Sequence, residues 1–197
     1  MKTIFSSILC LLIIASSFAQ NNSDSNKHLT FKGVPIDETL NEFVSKMKNS
    51  GFTHVGTDNG IGKLEGDFAG YKDCIVGVAT LKQKDLVSKI TVIFPESETW
   101  SPLSYNYFNL KELLTEKYGE PSNVVEEFDS YSEPRDDGAR MRAVQMDYCK
   151  FYTTYETEKG SIQLSIDHDS GMSCYVALSY IDKTNGKIIR EKAKGDL

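Results

Sequence analysis

The sequence predicts an α+β protein of two tandem halves, each a helix followed by a four-stranded antiparallel meander, with the helices on one side of the sheet or sheets. Two amphipathic stretches, each stopped by a glycine, stand 68 positions apart at Gly51 and Gly119. Four short runs of strand character follow each glycine, a period too long for a solenoid and suited to a duplicated α+β half. Two helices cannot cover both faces of eight strands, so part of the sheet is expected to meet solvent.

The chain opens with an export signal. Lys2 supplies the positive region, residues 4–14 are largely apolar, and Ser17, Phe18 and Ala19 end in the small residue that signal peptidase prefers, which places cleavage after Ala19. A transmembrane anchor needs ~18–20 apolar residues, and here a polar stretch follows at once. Lipidation at Cys10 would leave half the apolar run on the mature chain. The expected location is therefore secreted or periplasmic. Residues 20–30 read as a disordered leader.

The first half spans residues 31–103. Asp37 is placed to cap a helix on which Leu40, Phe43, Val44 and Met47 share one face, and Gly51 is able to take the positive φ that closes it. The strand-like runs 52–57, 61–69, 74–82 and 86–94 come next. Asn59-Gly60 between the first two is a strong hairpin signal, and the later breaks are short enough for a meander. The second half spans residues 104–182. Tyr107, Leu110, Leu113, Leu114 and Tyr118 mark its helix, which Gly119 and Pro121 end. Its strand-like runs are 123–128, 141–155, 161–168 and 172–181. Residues 183–197 form a polar tail or a short helix.

Composition removes several functions. The full chain carries 22 basic and 28 acidic residues, so a basic surface for nucleic acid is absent. No second segment is apolar enough to span a membrane. Export separates the protein from cytosolic nucleotides and nicotinamide, and no cofactor is implied. Cleavage leaves Cys74, Cys149 and Cys174, an odd number that cannot pair fully within one chain. They act either as small buried hydrophobes or, for Cys149 and Cys174, as a disulfide across neighbouring strands.

Residues 31–37 (FKGVPID), 66–71 (GDFAGY) and 117–121 (KYGEP), with a signal ending at Phe18, Ala19 and Gln20, resemble uncharacterised secreted proteins of gut Bacteroidetes. That resemblance carries no activity. At the level of architecture, helix plus antiparallel sheet in tandem resembles the β-lactamase inhibitor protein and, in single copy, the outer-membrane assembly lipoproteins of the SmpA/OmlA type. Both bind proteins and catalyse nothing, so the resemblance implies a binding module.

The candidate chemistry is sparse. Residues 56–64 have the flavour of a phosphate loop but carry one residue too many and Leu64 in place of the hydroxyl, and a strand follows where a helix N-terminus is needed. Asp167, His168 and Asp169 offer three metal ligands in a row. Neighbours in a strand face opposite ways, so they converge only if the chain turns there. The acidic loop 129–140 lacks the ligand spacing of a calcium loop. Glu126 with Glu127, or Glu156 with Glu158, are the candidate acid and base of a hydrolase. Trp100 either anchors a partner, if exposed, or plugs the junction of the halves, if buried. Tyr131, Tyr152, Tyr155 and Tyr175 are the remaining candidates for an aromatic binding surface. The expectation is non-catalytic recognition of a protein, peptide or glycan of the cell envelope; a small extracytoplasmic hydrolase or metal enzyme, and a structural envelope protein, are the alternatives.

Overall fold

A computed structural model describes residues 27–81, 85–129, 134–195 and 197. The export signal and most of the leader lie outside the described residues. The chain is an α+β protein on antiparallel sheets. A small hairpin, β1 (Thr30–Phe31) and β2 (Val34–Pro35), precedes α1 (Leu40–Asn49). Four strands follow: β3 (Thr53–Asp58), β4 (Ile61–Phe68), β5 (Tyr71–Thr80) and β6 (Val87–Ile93). Then come α2 (Trp100–Tyr118), β7 (Asn123–Phe128), α3 (Asp137–Gln145) and β8 (Cys149–Glu156). The chain closes with β9 (Gly160–His168), β10 (Cys174–Asp182) and α4 (Thr184–Gly195). Strands β3 to β10 form one eight-stranded sheet in the order β3-β4-β5-β6-β10-β9-β8-β7. Among the described residues, no helix is long and apolar enough to cross a membrane.

Local chemistry explains most of these elements. Leu40, Phe43, Val44 and Met47 are the buried stripe of α1. The helix starts later than Asp37 predicts, because Thr39 and Glu42 form a capping box in which the Thr39 hydroxyl accepts from the Glu42 amide while the Glu42 carboxylate accepts from the Thr39 amide. Reciprocal capping satisfies two helix-end donors, which a lone Asp37 cannot do. Asn59 and Gly60 both take positive φ, 50° and 78°, and join β3 to β4 in the tight turn their types favour.

Cross-strand register sorts the sheet into two sets of side chains. Leu64, Val76, Val92, Leu178, Leu164 and Thr153 face one another in sequence across six strands, and all are buried. The parallel row Val78, Ile90, Tyr180, Ile162 and Tyr155 is buried too. Helix side chains meet this set. A Cβ built on Gly62, the partner of Val78, would lie 2.9 Å from Leu40 and 3.6 Å from Val44 of α1. Tyr107 of α2 shares a 2.6 Å hydrogen bond with Thr153 and donates to Glu126 at 3.1 Å. The Tyr155 hydroxyl donates to the Lys111 carbonyl at 3.0 Å and lies 2.9 Å from the Thr115 hydroxyl. Burial first, and the Glu126 carboxylate after it, holds the Tyr107 phenol well above its ordinary pKa. Tyr107→Phe leaves the buried Thr153 hydroxyl without its partner and is expected to lower unfolding free energy by about 1–3 kcal/mol in a urea titration.

Two expectations are corrected and one left open is resolved. The run 141–155 is two elements, not one strand. Asp136 caps α3 through the Ala139 amide at 2.8 Å, Met141 and Val144 bury one face three residues apart, and Asp147 at φ 55° turns the chain into β8. The end of the leader belongs to the fold: His28 and Leu29 are buried, and the Leu29 amide donates to Asp182 Oδ2 at 2.9 Å. Between the tail and the helix left open for residues 183–197, the structure has the helix α4.

Candidate functional site

The alternate positions of the sheet form the second set. Glu65, Ile75, Ile93, Ala177, Ser165, Tyr152 and Val125 are successive cross-strand partners from β4 to β7. A second row runs beside it through Gly77, Thr91, Ser179, Gln163 and Thr154. Because side chains alternate along a strand, both rows point away from the side that meets Leu40, Val44 and Tyr107. Most of these residues are half-buried, while Ala177 and Ser179 at the centre are buried between their neighbours. Thr91 and Ser179 join their hydroxyls at 3.1 Å across β6 and β10. Over seven strands the rows offer small hydroxyls, an amide, aliphatic carbons, the Tyr152 phenol and, at the β4 end, the Glu65 carboxylate.

Tyr152 and Tyr175 stand on this side, Tyr152 opposite Ser165 and Tyr175 opposite Asp167. Burial, then the Asp167 and Asp169 carboxylates, pushes the Tyr175 phenol above its usual pKa. The other predicted aromatics do not join them. Tyr155 is buried on the first side, held by α2, and Tyr131 lies outside the described residues. Trp100 is not an exposed anchor, and the rings it meets lie on β7 and β8 rather than at the junction of the halves. It is buried as the first residue of α2, with its ring 5.3 Å from Phe128 and 5.0 Å from Phe151.

Asp167, His168 and Asp169 do not converge. Asp167 stands beside Tyr175, whereas the His168 ring places Nδ1 2.8 Å from the Asp169 carbonyl and Nε2 3.3 Å from Asp147. Asp169 closes the β9–β10 turn by accepting from the Ser173 amide at 2.9 Å. Hydrogen bonding to the Asp169 carbonyl raises the His168 pKa above its ordinary value. Among the described residues, no three His, Cys, Asp or Glu side chains group to hold a metal ion.

Cys74, Cys149 and Cys174 are free thiols. The expected pairing of Cys149 with Cys174 fails on topology, because β9 lies between β8 and β10. Two strand spacings, roughly 9.5 Å, exceed the Cα separation a disulfide allows. Desolvation is the first cause of the raised pKa at each thiol, up to about 11 for Cys74 and for Cys149. Thiols so raised stay protonated at neutral pH and are poor nucleophiles.

Of the paired glutamates, Glu126 and Glu156 are engaged by neighbours, while Glu127 and Glu158 are exposed. Glu126 accepts from Tyr107 and from Lys111 Nζ at 2.6 Å, while Glu127, next in β7, faces the opposite way. Glu156 is bound to Lys183. The glycine-rich stretch 56–64 is the β3–β4 hairpin.

Sequence reasoning overlooked Thr91, Ser179, Gln163 and Ser165. For Gln163 and Ser165 the signal was present as polar residues alternating with Ile162, Leu164 and Ile166 in β9; what joins them to Thr91 and Ser179 is the pairing of β6 with β10, residues 88 apart at Thr91 and Ser179. Compared with known proteins, the chain matches no family model, no curated protein and no solved structure.

Proposed function

We propose that the protein is an exported, non-catalytic binding module that holds a protein or glycan of the cell envelope on the second side of its sheet. In this reading the sheet is two helix-plus-four-strand halves joined at β6 and β10, with α1 and α2 on the first side and the second side left for the partner. The strand order supports it, since each meander runs inward from an edge strand to the central pair. Export through a signal cleaved after Ala19 belongs to the same proposal.

One observation carries most weight: the rows through Gly77, Thr91, Ser179 and Gln163 and through Ile93, Ala177, Ser165 and Tyr152 span the sheet without a charged side chain in that central stretch. Interface centres are depleted of charge, and a tyrosine at such a centre is a typical energetic anchor. Enzymatic turnover has less support, since Glu126, Glu156 and His168 are each engaged by a neighbouring group and Cys74 and Cys174 are buried.

The test uses the mature chain immobilised and exposed to envelope extract. Gln163→Arg places a charge in the middle of the surface, and Tyr152→Ala removes its anchor. Both are expected to weaken retention of a captured partner about tenfold or more while the thermal midpoint stays near that of the unsubstituted protein. Retention unchanged in both variants, or no partner together with turnover of a generic hydrolase substrate, overturns the proposal.

A further inference from the structure

A second site, independent of the sheet surface, lies where α3 meets the start of β8. Ala139, Arg142, Ala143 and Met146 fall at i, i+3, i+4 and i+7, so they share one face of the helix and its C-terminal turn. Met141 and Val144, on another face, are buried in the core. Asp147 at φ 55° folds the chain back, and the Tyr148 amide donates to the Ala143 carbonyl at 2.8 Å, which fixes Tyr148 beside the helix. The two alanines leave space that larger side chains would fill. The result is a cleft of about 380 Å³ lined by Ala139, Ala143, Met146, Tyr148 and Arg142, with Asp136 at its end. That volume lies within the range of small-ligand sites.

Two features give the cleft a chemistry. Its walls are mainly apolar, and Met146 and Tyr148 are 46% and 64% exposed, an unusual amount of apolar surface to gather at one place. Arg142 lines the cleft and its side chain has no hydrogen-bond or ion-pair partner among the described residues, whereas Asp136 is occupied in capping α3. We propose that this cleft binds a monocarboxylate with an apolar body, an acyl or aryl acid whose carboxylate takes the Arg142 fork while its hydrocarbon covers Ala139, Ala143 and Met146. A planar guanidinium matches a carboxylate through two parallel hydrogen bonds. A single cation with the Asp136 carboxylate close by disfavours a dianion such as a phosphate monoester.

Calorimetric titration of the protein with hexanoate, octanoate and decanoate tests this, with decanol as the uncharged control. Each two-carbon extension is expected to tighten binding by about tenfold, from roughly 0.8 kcal/mol per buried methylene. Arg142→Gln is expected to weaken decanoate about tenfold or more and to leave decanol unchanged. Ala139→Leu, which fills the cleft, weakens both. Because Arg142 is exposed, its variant is expected to melt with the unsubstituted protein, which keeps the test valid even where Ala139→Leu fails to fold. Decanoate that does not bind at millimolar concentration, decanol that binds as tightly, or decanoate affinity unaffected by Arg142→Gln each overturns the proposal.

Discussion

Asp182→Ala is expected to lower the unfolding free energy by about 3–5 kcal/mol, which urea denaturation of the purified protein measures. The Asp182 side chain is fully buried and ties three segments together. Its Oδ2 accepts from the Leu29 amide at 2.9 Å, and its Oδ1 accepts from the Thr184 amide at 2.9 Å and the Asn185 amide at 3.3 Å. The His28 ring places Nδ1 3.2 Å from Oδ1. Alanine removes every one of these acceptors and supplies none, so donors in the leader and in the first turn of α4 lose their partners inside the protein. An unmade buried hydrogen bond costs far more than a made one contributes, which is why the loss exceeds that of an ordinary truncation. Thr184 adds a bond from its hydroxyl to the Lys27 carbonyl at 2.8 Å, so leader and α4 are expected to loosen together. His28→Ala removes one contact and leaves the amides satisfied; it is expected to cost less than half as much. A loss below about 1 kcal/mol for Asp182→Ala would show that the leader does not depend on this carboxylate.

Gly160→Ala is expected to cost about 3 kcal/mol or more, read as a fall of roughly 6–12 °C in the thermal midpoint. A Cβ at Gly160 would lie 2.2 Å from the Ile181 carbonyl oxygen and 2.7 Å from Leu29 Cδ1. Leu29 is able to rotate, but the carbonyl belongs to the β9–β10 ladder, in which Gly160 faces Asp182. Relief therefore requires the two backbones to separate next to the Asp182 cluster. Gly77→Ala is the control. Its Cβ would meet nothing closer than 3.8 Å, and it is expected to change stability by less than about 1 kcal/mol. Equal midpoints for the two variants would rule out the steric account.

Local pattern was legible wherever one element decides its own form. The i, i+3, i+4 spacing of Leu40, Phe43 and Val44 and the turn at Asn59 and Gly60 each commit a short segment through contacts it makes with itself or an adjoining strand. Misreading occurred where two local solutions compete. Residues 141–155 mix β-branched and aromatic residues with helix formers, and only the Asp136 cap and the Asp147 turn divide them into α3 and β8. Trp100 reads as either an exposed anchor or a buried ring until its burial against Phe128 and Phe151 is seen.

The candidate site was less legible than the fold. Tyr152 and Tyr175 were identifiable as aromatic, yet their sharing a side with Thr91 and Gln163, while Tyr155 takes the other, is a statement about register. A slip of one residue would exchange the two sides of a strand. The failure of the Cys149–Cys174 pairing has the same origin, because no pattern within β8 or β10 reveals that β9 lies between them.

By itself, then, the sequence determined the types of element, their approximate bounds, the helix stripes and the tight turn, since these depend on periodicity and backbone preference over a few residues. Only the tertiary structure decided that β6 pairs with β10, which side chains line the second side, and how Asp182 holds Leu29. Those contacts join residues far apart along the chain. Their closure costs entropy that only collective burial and register offset, so no local stretch of sequence encodes them alone.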